Sequence, residues 1–225
     1  MSQNSSFAIT LRFIGIVLMA LTGGFTLLGG IGTTCAALFP TKFGSMAALA
    51  PFQWLYILFV LVGVGIGVWG IWATIKLVKG KSDAYQQSIM ALVSGTLIGL
   101  LHIYMSRMLR GSSMPVDAVV YTTVLTLVVF LLFRIPGIWQ RVNFDKTNNR
   151  TAGGAAALIL GIMTLTIQYT MGATHTWGGV NYADAFNTGM TITGIGLLLL
   201  GAGFLFRVEK VRVLANRLRV QTRSV

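Results

Sequence analysis

The sequence predicts an all-α fold, a polytopic helical membrane bundle of six transmembrane helices with both termini cytoplasmic. Three observations carry this reading. The mean hydropathy is +0.77, and only 10% of residues are charged, against roughly 25% in an average soluble domain. Six apolar runs are each long enough to cross the hydrocarbon core of a bilayer, which needs about 20 residues. The lysines and arginines between those runs fall mainly on one side of an alternating topology.

The spans are placed at 8–31, 52–78, 87–108, 116–133, 152–171 and 188–206, followed by a basic tail at 207–225. In a chain of 225 residues this leaves short connections and no room for a separate soluble domain, so one transmembrane domain over 1–225 is expected. The amino end carries no lysine or arginine before Arg12, and the first run is too long for a signal-peptide core. It reads as a retained span.

Orientation follows from the cations. With cytoplasmic termini the inner side holds Arg12, Lys76, Lys79, Lys81, Arg134, Arg141, Lys146, Arg150 and the tail residues Arg207, Lys210, Arg212, Arg217, Arg219 and Arg223. The outer side holds only Lys42, Arg107 and Arg110. A bacterial cytoplasmic (inner) membrane is the expected location, and the sequence does not separate it from an organellar membrane. The net charge of +12 therefore reads as positive-inside anchoring. A nucleic-acid surface would instead gather its cations on one folded face, so no nucleic-acid partner is expected.

Phe52, Trp54 and Tyr56 fit an outer interface of the second span, and Trp69 and Trp72 an inner one. Ile135, Ile138, Trp139 and Val142 recur at helical spacing beside Arg134 and Arg141, which predicts a short interfacial helix after Pro136. The 27 glycines concentrate inside spans. Gly63 and Gly67 form a GxxxG pair, and Gly153, Gly154 and Gly161 line the fifth span, so close helix packing is expected. An apolar pigment, haem or quinone against such a groove is the other reading.

Ionisable residues are nearly absent from the span centres, which argues against a proton- or sodium-coupled carrier. Arg12 is expected to snorkel to the inner surface. The third span carries the exception, where Gly95, Gly99, His102 and Ser106 share one helical face. A small-residue groove leading to an imidazole suits haem b, a chlorophyll-type pigment or a quinone, with His102, Gly95 and Gly99 as the cofactor-binding residues. A histidine hydrogen-bonded to a neighbouring helix gives the same pattern. Joint ligation of one haem by His102 and His175 requires similar depth, and the spacing puts His102 about 10 Å below the end of its span.

The outer loop after the fifth span places His175, Trp177, Asn181, Tyr182 and Asp184 close together. With Arg107 and Arg110 they form a candidate ligand or partner pocket, able to hold a quinone head group, a small solute or a partner protein. The first outer loop, 33–51, is apolar enough to lie in the membrane interface or against another chain.

No enzyme signature is present, and the five acids are scattered, so neither a catalytic residue nor a metal set is assigned. Cys35 is the only cysteine, which rules out an intramolecular disulfide. The leading expectation is a non-catalytic subunit of a larger membrane complex, with other membrane protein subunits, the lipid bilayer, and anionic headgroups at the basic tail as partners. Two alternatives stand beside it, a cofactor-binding electron-transfer subunit and a small-solute channel or carrier.

Overall fold

In the computed structural model, residues 5–221 are described apart from 146, 173–175, 178, 182, 183 and 185; side chains at 35, 45, 168, 171, 177 and 208–221 are not. Helices dominate: α1 (Ser6–Leu38), α2 (Gln53–Val78), α3 (Ala84–Arg110), α4 (Val116–Phe133), α5 (Pro136–Val142), α6 (Arg150–Met171) and α7 (Asn187–Gln221). Six of them are long and apolar enough to cross a membrane. Two compact units result, Met1–Thr147 and Asn148–Val225, and each is taken by itself.

In the first unit α1 opens on Ser5, whose hydroxyl accepts the Ala8 N–H at 3.3 Å and caps the first turn. The helix outruns the expected span by seven residues, because nothing in the sequence stops it before Pro40, which disfavours helix at the residue ahead of it. Two 3-10 segments follow, Pro40–Lys42 and Gly44–Phe52. Their apolar residues do not all face outward as the composition suggested. Pro40 and Leu49 are buried, and Leu49 joins a cluster with Ala37, Tyr56, Phe59 and Val60, while Phe39 and Phe52 remain exposed.

Glycine sets the stops of the next two helices. Gly80, at φ 62°, closes α2 as a Schellman motif: Lys81 N–H donates to Lys76 O at 3.1 Å and Gly80 N–H to Leu77 O at 3.2 Å. Gly111, at φ 71°, ends α3 with one bond to Arg107 O at 3.0 Å. Pro136 begins α5, the short helix anticipated there. Arg12 is held inside rather than snorkelling. It is only 4% exposed, and its Nη1 donates to Arg141 O at 3.3 Å, covering a carbonyl in the last turn of α5.

Helix contacts rest on glycine and leucine. A Cβ added to Gly67 of α2 would lie 2.6 Å from Leu27 N of α1, one on Gly23 would lie 2.9 Å from Ile71 N, and one on Gly30 would lie 3.1 Å from Val64 N. The two backbones thus touch along Gly23, Leu27 and Gly30, a G-x3-L-x2-G spacing. Polar ties add to this. Thr22 and Thr126 share a 2.7 Å hydrogen bond between α1 and α4, and Trp69 donates to Gln87 between α2 and α3 at 2.9 Å. Such bonds contribute about 0.6 kcal/mol on average in membrane proteins.

The second unit repeats the device in reciprocal form. Gly154 and Gly161 of α6 meet Leu205 and Leu198 of α7, while Gly194 and Gly201 of α7 meet Leu165 and Leu158 of α6. Each helix carries G-x3-L-x2-G-x3-L, so every glycine notch takes the partner's leucine. Between them β1 (Thr176–Trp177) pairs antiparallel with β2 (Val180–Asn181).

Two outcomes are expected. Gly67→Val overpacks the α1–α2 seam and lowers unfolding stability by about 1–3 kcal/mol, whereas Gly65→Ala, with nothing within 4 Å of its Cβ position, raises it by up to about 1 kcal/mol; denaturant unfolding in detergent reads both. In the α2–α3 turn Asp83 is held below its ordinary 3.8 by the hydrogen bond from Lys76, with the lysine charge adding. Because its folded pKa is depressed, its contribution is present above about pH 4 and is lost as pH falls through the lower folded value. Asp83→Asn should flatten that part of the pH–stability curve.

Candidate functional site

The polar cluster forms where α2 begins, α3 ends and α4 begins, at the end of the first unit opposite the start of α1. Its geometry comes from one turn. Arg107 sits in the last turn of α3, Ser113 in the link and Asp117 in the first turn of α4. Arg107 Nε donates to Ser113 Oγ at 2.9 Å, and Ser113 Oγ lies 2.8 Å from both carboxylate oxygens of Asp117. With one proton to give, the hydroxyl serves one oxygen at a time. Arg107 Nη2 also reaches Asp117 Oδ1 at 3.4 Å. Asp117 is inside, its side chain 10% exposed, while that of Arg107 is 57% exposed. The carboxylate sits at a helix amino end, where the backbone dipole favours negative charge.

One turn further along α3, Arg110 Nη2 donates to Met114 O at 2.7 Å, and its Nε is buried with no hydrogen-bond partner among the described residues. Ser106 and Tyr56, both buried, share a 2.9 Å hydrogen bond between α3 and α2. Tyr56 is therefore a core residue rather than the interface anchor expected from its place beside Trp54, which is 65% exposed.

His102 makes no hydrogen bond to a described residue. Its ring stacks on Phe59 of α2 with centroids 4.5 Å apart and planes at 15°, and meets the Tyr56 ring edge-on at 5.4 Å. The expected bond to a neighbouring helix is made one turn away by Ser106 instead. The shared face of Gly95, Gly99, His102 and Ser106 exists, but it is filled. A Cβ on Gly99 would lie 2.5 Å from Val120 Cγ2, and one on Gly95 would lie 3.4 Å from both Ile66 and Thr123. A haem or chlorophyll-type ring laid against these glycines would have to displace α4, so the residues present do not fit such a group there. A small, partly open pocket lined by Met19, Thr22, Thr26, Ile66, Leu92 and Thr123 holds about 10 Å³, no more than a single water needs.

The other expected pocket residues belong to the second unit. His175 and Tyr182 lie outside the described residues, and Trp177 is described only in its backbone. Asn181 Nδ2 donates to Asp184 Oδ1 at 3.2 Å, and its amide sits over Gly172. Among the described residues no three of histidine, cysteine, aspartate and glutamate gather as a metal set.

Sequence reading missed Ser113, whose hydroxyl links arginine to carboxylate, and Phe59, the platform for His102. The four-residue spacing of Ser113 and Asp117 beside a proline was the available signal for the first. Chemically the cluster is a clasp that ties three helix ends, sets one carboxylate against two guanidiniums and leaves the Arg107 side chain partly at the surface.

Asp117→Asn should therefore cost roughly 1–2 kcal/mol of unfolding stability, between the limits for surface and buried ion pairs, with most of that loss absent in an Arg107→Ala background. For the cofactor face, the purified protein should show no visible absorbance band, and His102→Ala should leave its spectrum unchanged; a band lost in that variant would reverse the packing assignment.

Comparison with known proteins finds no matching family model, no matching curated protein and no matching solved structure.

Proposed function

We propose that this chain is an integral membrane protein that acts as a non-catalytic subunit, packing α7 against a membrane-spanning helix of a partner chain. One observation carries the proposal. The G-x3-L-x2-G spacing joins α1 to α2 at Gly23, Leu27 and Gly30, and joins α6 to α7 along both helices. Helix α7 bears a further copy, Gly196, Leu200 and Gly203, on the face turned away from α6. A Cβ at Gly196 or Gly203 would meet nothing within 4 Å among the described residues, and Leu200 is 50% exposed.

Exposed leucines alone say nothing, since lipid is as apolar as leucine. Notched glycines are different: a glycine inside a helix costs roughly 1 kcal/mol relative to alanine, and lipid gains nothing from the notch. Close backbone approach by another helix offsets that cost. The alternation of Gly189, Ile192, Gly196, Leu199, Gly203 and Phe206 along this side gives the small-and-large relief that a facing helix can interlock with. The lysine and arginine distribution supports a cytoplasmic membrane location with inward termini, and the basic stretch of α7 beyond 207 supports contact with anionic headgroups.

The experiment is cross-linking in native membranes with Leu200→Cys in a Cys35→Ala background. The proposal expects adducts larger than the monomer, containing a second polypeptide by mass spectrometry. It also expects loss of the corresponding native-gel complex in Gly196→Ile/Gly203→Ile, with the helical content of the protein unchanged. Monomer alone in both measurements would overturn it.

A further inference from the structure

We infer that the elbow between α4 and α5 is a headgroup site for an anionic phospholipid, built by Arg134 and Trp139 on a Tyr85 base. The site lies at the end of the first unit where α1 begins, α2 ends, α3 begins and α4 ends, which is also where Lys79, Lys81 and Arg141 gather.

The base is rigid. Tyr85 donates its hydroxyl proton to Phe130 O of α4 at 2.7 Å, and its ring packs on Phe130 at 5.9 Å. Trp139 of α5 meets the Tyr85 ring at 4.6 Å with planes at 63°. Across this pair lies the Arg134 guanidinium, 5.2 Å from the Trp139 ring and 5.6 Å from the Tyr85 ring. Cation–π contact with two rings holds the cation in place and reduces the entropy lost when it binds an anion.

What the clasp lacks is an acceptor. No carboxylate pairs with Arg134 among the described residues, and neither its guanidinium nor the Trp139 indole N–H has a hydrogen-bond acceptor there. Asp83, one of the acids at this end, is taken by Lys76. Guanidinium and indole N–H donors thus belong to one elbow, with the Arg134 guanidinium 5.2 Å from the Trp139 ring, a pairing that would suit the two unesterified oxygens of a phosphodiester.

Depth selects a lipid rather than a free anion. Around Arg134 the exposed residues Leu131 at 53%, Leu132 at 50% and Ile135 at 48% are apolar, while Gln140 beyond them is exposed and polar. The guanidinium stands at the boundary where acyl chains would give way to phosphate, beside a short helix of interfacial composition.

The test is native mass spectrometry of the full-length, delipidated protein titrated with phosphatidylglycerol or phosphatidylcholine. Wild type should retain phosphatidylglycerol at least about tenfold more tightly, a difference worth about 1.4 kcal/mol. Arg134→Ala should bring the preference below about threefold. Trp139→Leu, which keeps every charge, should weaken it by an intermediate factor, and Lys79→Ala/Lys81→Ala should leave it intact. Circular dichroism of each variant keeps loss of binding distinct from loss of fold. A preference that survives Arg134→Ala but disappears with the lysines would overturn the site in favour of diffuse charge. Competition by millimolar inorganic phosphate would overturn the lipid assignment in favour of a soluble anion.

Discussion

Lipid offers no hydrophobic reward for bringing two helices together, so helices in it cohere only as closely as their backbones can approach. That constraint organises this protein. At Gly23, Gly30 and Gly67 in the first unit, and at Gly154, Gly161, Gly194 and Gly201 in the second, any side chain beyond hydrogen would strike a neighbouring backbone or leucine. The same spacing of glycine and leucine does this work in both units.

The polar groups follow a second rule, that a buried donor or acceptor needs a partner where water is absent. Thr22 finds Thr126, Tyr56 finds Ser106, and Arg12 reaches the Arg141 carbonyl. At the far end Arg107 pairs with Asp117, and the Ser113 hydroxyl bridges the two. These sets tie helices to one another, and the glycine face beside His102 is packed by Val120. Helix α7 keeps an unfilled copy of its own packing pattern among the described residues, and the proposed subunit role rests on that copy.

Much of the helical layout was legible in the sequence because apolar length and interrupting residues are local properties. Helix α4 occupies 116–133 as read, α2 differs by one residue, and the short helix after Pro136 is present. The extension of α1 to Leu38 was not legible from hydropathy, since small and polar residues such as Thr33 and Thr34 lower the average without breaking the helix. Both donate to carbonyls four residues back and stay helical. The site was harder to read. A helical wheel correctly put Gly95, Gly99, His102 and Ser106 on one face, but a wheel cannot say what fills that face. That Val120 and Phe59 do so depends on how α4 and α2 lie against α3. Likewise, the inward turn of Leu49 and Pro40 depends on tertiary packing, where composition alone suggested an outward surface.

The central claim is that helices touch backbone to backbone at paired glycines when the protein is in a bilayer. Solid-state NMR of selectively labelled protein in lipid tests it directly, through carbon–carbon correlations between glycines distant in sequence. The account predicts cross-peaks joining Gly161 with Gly194, Gly154 with Gly201, and Gly23 with Gly70. Resolved signals for these glycines with correlations only inside their own helices would contradict it.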